Sequence, residues 1–167
     1  MKDNLLSPEI NLRFPSEEDG KGIWELVKST RVLDLNSAYS YLLLSKYFSD
    51  TCVVADVEGK IVGFVSAFHP PMQADVIFVW QVAVDEAFRR RRLGMNMLKH
   101  LLAREICSNN RYLEITVNPS NQAAYSLYYQ LAHELKTSCV EEECFPSRLF
   151  PGGQHEEEIM LRIGPLI

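Results

Sequence analysis

The sequence predicts an α/β domain in which a central mixed, mostly antiparallel sheet is flanked by helices. Three observations predict it. Three runs rich in β-branched and aromatic residues follow one another between Thr51 and Val84. Segments with helical spacing of apolar residues bracket that block on both sides. The third run, Val76–Val84 (VIFVWQVAV), is nearly all apolar, as expected of a strand covered on both faces. With 167 residues the chain fits one domain, expected over residues 1–167 with a core from about 10 to 163. A chain of this length buries roughly 70% of its unfolded surface, enough for a core without staples.

Taken in order, Ile10–Phe14 alternates apolar and polar residues and reads as a short strand. Pro15-Ser16-Glu17-Glu18-Asp19 supplies a helix start, with Ser16 as cap and acids at the positive end of the dipole. Ile23, Trp24, Leu26 and Val27 give that helix its apolar face. A second helix is expected over Ser37–Phe48, where Tyr41, Leu42, Leu44, Ser45 and Phe48 recur at helical spacing. Thr51–Val57 and Lys60–Phe68 read as strands joined by a Glu58-Gly59 turn. His69-Pro70-Pro71 ends the second of them, since proline lacks a ladder donor. Leu93–Cys107 is expected to be an amphipathic helix with Leu93, Met97, Leu98, Leu101 and Leu102 inward. Tyr112–Val117 reads as a strand stopped by Asn118-Pro119, Pro119–His133 as a helix with Asn121 in its first turn, and Glu158–Ile163 as a last strand. A loop is expected through Phe145-Pro146 and Pro151-Gly152-Gly153, and Glu141-Glu142-Glu143 as a solvated face.

Charge narrows the function classes. Seventeen basic against 22 acidic residues leave a net charge of −5, unsuited to general nucleic-acid binding, which needs cations to neutralise phosphates. No nucleic-acid or membrane partner is therefore expected: no run approaches the roughly 18 apolar residues of a membrane span. The N-terminus lacks the basic start and long apolar stretch of an export leader. Cys52, Cys107, Cys139 and Cys144 form no CxxC pair and no zinc spacing. No metal site is expected, and reduced thiols in a cytoplasmic protein are the simplest reading.

Against that acidic background Arg89, Arg90, Arg91 and Arg92 run consecutively, between the apolar strand and the helix that begins Leu93-Gly94. A helix N-terminus presents unpaired backbone N–H groups and the positive end of a dipole. Arginine adds permanent charge and donors, and Gly94 lets a ligand approach backbone closely. Strand, arginine turn and helix together describe a cradle for a diphosphate; a solvated basic turn is the plainer alternative.

This order resembles the acyl-CoA-binding signature of the GCN5-related N-acetyltransferase superfamily: Arg or Gln, two variable residues, Gly, one variable residue, then Gly or Ala. Arg89 matches the first position and Gly94 the last, whereas Arg92 stands where the family usually has Gly. Which arginine would touch phosphate is left open. A second match is Asn121-Gln122-Ala123-Ala124-Tyr125-Ser126-Leu127-Tyr128, which resembles the family's Asn-x-x-Ala-x-x-Leu-Tyr helix. The resemblance implies acetyl-CoA as co-substrate, bound along the backbone of Val82-Ala83-Val84. It implies an N–H there that polarises the thioester, a hydrogen bond from Asn121, and Tyr128 as the acid that protonates the departing thiolate. As a plainer alternative, Tyr128 is a core aromatic.

Three more stretches are similar to the diaminobutyrate acetyltransferases within that superfamily: Leu33-Asp34-Leu35-Asn36-Ser37-Ala38-Tyr39-Ser40-Tyr41-Leu42-Leu43, Phe78-Val79-Trp80-Gln81-Val82-Ala83-Val84, and His155-Glu156-Glu157-Glu158. This implies direct acetyl transfer to the side-chain (N4) amine of L-2,4-diaminobutyrate, a step toward the osmotic-stress solute ectoine, in a homodimer. It puts Asp34, Asn36, Ser37, Tyr39, Trp80, Gln81, His155, Glu156 and Glu158 at the substrate. Asp34 or Glu158 is chemically suited to hold an α-ammonium, Trp80 to wall or face it, and His155, Glu156 or Glu158 to take a proton from the amine. Capping of the second helix is the rival reading for Asp34, Asn36 and Ser37. Acceptance of another small amine or polyamine, and a non-catalytic CoA-binding module, are the rival functions.

Overall fold

The structure, a computed structural model, describes residues 7–167. The expectation of no export leader falls in part on residues 1–6, which lie outside them. Seven strands form one sheet in the order β1 (Asn11–Arg13), β2 (Val53–Val57), β3 (Lys60–Phe68), β4 (Val76–Val84), β5 (Tyr112–Val117), β7 (Glu158–Gly164), β6 (Ser138–Phe145). Every neighbouring pair is antiparallel except β4 and β5, which run parallel. The expected mixed, mostly antiparallel sheet is what forms.

Alternation along the strands decides which helices cover which face. Val54, Phe64 and Ala83 point to α1 (Gly20–Thr30) and α2 (Ala38–Tyr47), where they meet Ile23, Val27, Tyr41 and Leu44. Their neighbours Val53 and Val65 point the other way, with Ile77 and Ile115, to α3 (Leu93–Leu102) and α4 (Gln122–Glu134). There they meet Met97, Leu98, Leu101, Tyr128 and Leu131. Each fully buried aliphatic side chain contributes roughly 1.5–3 kcal/mol, so both layers are well secured. Gly63 on β3 is needed for α3 to close on the sheet: a Cβ there would come within 2.8 Å of the Met97 sulfur.

Several elements depart from expectation, each for a visible reason. The predicted helix over 93–107 ends at Leu102, because Arg104 turns extended (φ −72°, ψ 148°). Its guanidinium then donates to the carbonyls of Asp50 (3.0 Å) and Cys52 (2.6 Å). On α2, Tyr41, Leu44 and Ser45 are buried, but Leu42 and Phe48 are exposed. Asn121 is the cap of α4 and not a first-turn residue, its side chain accepting from the Ala124 N–H at 3.1 Å. β6 was not expected at all. It is an edge strand whose Glu141-Glu142-Glu143 is indeed solvent-exposed, and such charges guard an open edge against pairing.

Candidate active site

The site begins where two strands part. β4 and β5 pair only from Val76 with Tyr112 to Val79 with Ile115. At Trp80 the β3–β4 register shifts by one residue, Ser66 facing Gln81 while Ala67 faces Val79. Trp80 is therefore the extra residue of a β-bulge, and a bulge bends and twists its strand. Beyond it β4 leaves β5, and its outer backbone edge lies open. The Ser66 hydroxyl accepts the Gln81 N–H at 3.1 Å and the Val62 carbonyl accepts the Asp85 N–H at 2.8 Å. The odd-numbered amides thus turn to β3, and by alternation those of Val82 and Val84 turn to the cleft. Arg89 Nε reaches the Val84 carbonyl (3.4 Å) from that side.

A cavity of about 1010 Å³ follows this opening. At one end lie Val82, Val84, Arg89, Gly94 and Asn121. The arginine turn delivers the chain into α3 through two left-handed residues, Arg90 and Arg92 (both φ 61°). Alternating turns of this kind gather successive N–H groups into an anion-binding concavity. Gly94 has open space beside it, since an added Cβ would meet only Leu127 and Val82 at ordinary contact distance. Tyr128 on α4 lines the cavity while only 1% exposed. Burial pushes its phenol pKa well up, so it stays protonated throughout the working range.

The other end is closed by two loops, residues 31–37 and 146–157. His155 Nε2 lies 3.1 Å from an Asp34 carboxylate oxygen, and its ring stacks on Phe150 with centroids 3.9 Å apart. The Glu156 carbonyl at Nδ1 and then Asp34 at Nε2 raise the His155 pKa. Gln81 fixes the Asp34 loop: its Nε2 donates to the Asp34 carbonyl (2.7 Å) and its Oε1 accepts from the buried Tyr41 hydroxyl (3.0 Å). Glu158 opens β7 with its carboxylate accepting from Asn118 Nδ2 (3.0 Å). Trp80, 41% exposed, forms a wall, so β4 is not covered on both faces along its whole length.

Of the predicted residues, the cavity thus brings together Asp34, Trp80, Gln81, Val82, Val84, Arg89, Gly94, Asn121, Tyr128, His155 and Glu158. The others lie elsewhere. Ala83 faces α1 and α2, because neighbouring strand residues point to opposite faces. Leu93 is buried in the α3 core. Arg92 swings to Glu134 on α4 (2.8 Å), and the Arg91 guanidinium lies over Phe88 (5.4 Å). Neither Arg91 nor Arg90 lines the cavity. Ser37 caps α2, accepting the Ser40 N–H, so the capping alternative describes it. Asn36 hydrogen-bonds Tyr41 (3.4 Å), Tyr39 is 67% exposed outside the cavity, and Glu156 accepts from Ser120.

Sequence reading missed Asn118 and Glu114. Glu114 is a buried cavity acid on β5, its pKa raised by burial and opposed by Arg162 at 3.0 Å. Its only signal was one acid inside an apolar strand, YLEITV. Cys52, Cys107, Cys139 and Cys144 are free. Among the described residues no group of three or more His, Cys, Asp or Glu is placed to hold a metal, and no helix is long and apolar enough to cross a membrane.

A strand splayed by a bulge, beside a helix N-terminus that follows an arginine turn, defines an acyl-CoA-dependent acetyltransferase scaffold. The chain belongs to the acetyltransferase (GNAT) family, whose model matches residues 21–132. Within it, the chain is 50% identical to the L-2,4-diaminobutyric acid acetyltransferase of Halalkalibacterium halodurans, over 96% of this chain and 85% of that protein. It superposes with a TM-score of 0.93, at 41% identity, on diaminobutyrate acetyltransferase EctA from Paenibacillus lautus in complex with L-2,4-diaminobutyric acid and coenzyme A. That match covers 96% of this chain and 98% of the other. The Ard1 structure from Thermoplasma volcanium, 18% identical with a TM-score of 0.73, shares the fold.

Proposed function

We propose that the chain transfers the acetyl group of acetyl-CoA to the N4 amine of L-2,4-diaminobutyrate, a step toward ectoine. The observation that carries this reading is one continuous cavity. It joins an open β4 edge and a helix N-terminus to a separate end bearing Asp34, His155 and Glu158. The sequence identity to diaminobutyrate acetyltransferases supports the choice of acceptor.

Acetyl-CoA supplies an activated thioester; the chain's residues bind it and move protons. The cleft-facing Val84 amide and the Val82 carbonyl suit the amide-bearing pantetheine arm. The first N–H groups of α3 and the Arg89 guanidinium suit its diphosphate. Asp34 and His155 present a carboxylate beside a cation-prone imidazole, complementary to an α-ammonium and α-carboxylate. Glu158, held by Asn118, takes the proton that the acceptor's ammonium must lose before its nitrogen can attack. The Val82 N–H supports negative charge growing on the acyl oxygen. As the C–N bond forms and the C–S bond breaks, Tyr128 gives its proton to the leaving sulfur and the nitrogen sheds its second proton, which restores the phenol; the net proton leaves through Glu158 to solvent. Transfer is direct: Cys52 and Cys107 are buried in the core layers, where burial raises their thiol pKa values to about 11, and Cys144, which does line the cavity, is held as a neutral thiol by burial and then by Glu114 and nearby carboxylates.

One acetyltransferase domain, a homodimer and a cytoplasmic location complete the reading; four free thiols fit a reducing compartment. Turnover with diaminobutyrate, ornithine, lysine and putrescine tests the acceptor. Diaminobutyrate should give the highest kcat/KM, and equal rates would remove the substrate assignment. Sedimentation of the purified protein tests the dimer.

A further inference from the structure

Residue Arg92 holds a conformation that does not suit it. With φ 61° and ψ 20° it is left-handed at the position from which α3 starts. A side chain at such a φ brings Cβ against the following carbonyl, a cost glycine escapes. Arg90 shares that φ with no side-chain contact of its own, whereas Arg92 has partners beyond the turn that favour its backbone.

The holder is on the other helix. Arg92 Nη2 donates to both carboxylate oxygens of Glu134 at 2.8 Å, Lys99 from the next turns of α3 reaches the same carboxylate, and Gln130 adds a hydrogen bond at 3.0 Å. Glu134 is the last residue of α4, where the negative end of the helix dipole disfavours an acid. Its two cationic partners both come from α3. They also keep it ionised in any assay: Lys99 first, then Arg92 and Gln130, hold its pKa down to about 2. A depressed carboxylate contributes above its unfolded value, and that contribution is lost only as pH falls toward 2.

We propose that Glu134, with Lys99, is a positioning residue for the cofactor turn. It draws the Arg92 side chain across to α4 and secures the left-handed residue that launches α3. Arg92 then serves a nucleotide diphosphate through its backbone and not through its guanidinium. The inference rests on the reading that the α3 N-terminus takes that diphosphate.

Calorimetry with CoA, together with separate KM values for acetyl-CoA and the acceptor, tests it on the full-length protein. Glu134→Gln should weaken CoA binding about fivefold, because part of the left-handed cost returns when the clamp is cut. KM for the acceptor should stay within about twofold. Arg92→Gln, which cuts the clamp but keeps a side chain at the strained position, should show the same selective loss. Glycine at 92 adopts the left-handed backbone at no cost, so on an Arg92→Gly background Glu134→Gln should have almost no further effect on CoA binding. Arg92→Gln serves alone if Glu134→Gln does not fold. A large loss in Arg92→Gly would show that the guanidinium itself grips phosphate and would overturn the proposal. So would unchanged or tighter binding by both Glu134→Gln and Arg92→Gln, an equal shift in the acceptor KM, or a Glu134→Gln effect of the same size with arginine or glycine at 92. Failure of the unaltered protein to bind CoA would instead remove the reading beneath it.

Discussion

The two ends of the cavity are built by different means. At the end proposed for the cofactor the available groups are mostly main-chain: free amides of Val82 and Val84 on a splayed strand, and the opening N–H groups of α3. At the acceptor end they are side chains on two loops, brought together by single contacts such as His155–Asp34 and Asn118–Glu158. A backbone edge recognises an amide-bearing arm whatever the side chains are, so one scaffold serves many relatives. Side chains on loops are free to change, and the proposed reading puts the choice of acceptor there. Tyr128 lines the same cavity and, in the proposed reading, serves the chemistry of both ends.

The largest effect should come from that shared position. Tyr128→Phe removes only a hydroxyl from a well-packed site, so thermal stability and both KM values should change little. A positioned general acid is worth roughly 10²–10⁴-fold, and kcat should fall by at least about 10²-fold. Because burial raises the phenol pKa, no alkaline fall in rate from Tyr128 should appear below about pH 10. Unchanged turnover in a folded variant would return Tyr128 to the core and leave the two ends without a common acid.

The same contrast governs what the sequence made legible. β3, β4 and β5 run between the residues their composition predicted, because β-branched runs ended by proline or a Glu-Gly turn are local signals. The cofactor end follows from them: once strand, arginine turn and helix are in order, the backbone groups are placed. Even so, the sequence could not say that Arg92 turns away to Glu134, a contact spanning 42 residues. β6 escaped notice because an edge strand of glutamates is stabilised by its ladder with β7 and not by its own composition. At the acceptor end, Asp34 and His155 are 121 residues apart and meet only in the fold. Ser37 and Tyr39, their sequence neighbours in one matched stretch, point elsewhere. Glu114 and Asn118 entered the site because β5 borders the opening, which no local pattern in β5 announces.

A medium-sized effect should isolate the acceptor end. His155 has a raised pKa, so its cationic form and its pairing with Asp34 are complete below the ordinary histidine value near 6.5 and lost as pH rises through the raised one. The acceptor KM should therefore climb over that upper range while the acetyl-CoA KM stays flat. His155→Asn should abolish that pH dependence and raise the acceptor KM about fivefold below it, since exposure reduces a charged contact to about 1 kcal/mol. If the variant instead removes a pH dependence of kcat, His155 is the proton acceptor in place of Glu158.

The smallest effect, and the sharpest separation of the two ends, is expected at Gly94. The protein itself leaves room for a methyl group there: the nearest atoms, on Leu127 and Val82, lie 3.6 and 3.7 Å from an added Cβ. Alanine is also the better helix former by up to about 1 kcal/mol, so Gly94→Ala should melt at the same temperature or slightly higher. Any functional cost must then come from a ligand that needs the space. The signature that Gly94 matches takes alanine as well as glycine at this position, so the acetyl-CoA KM should rise by no more than about twofold, while the acceptor KM and the His155-dependent pH profile stay as they were. A variant that is more stable yet binds its cofactor less well would show that this glycine is kept for the diphosphate and not for the fold. A variant with unaltered affinity would show that the diphosphate needs the backbone of the second residue of α3 and not the absence of a side chain there.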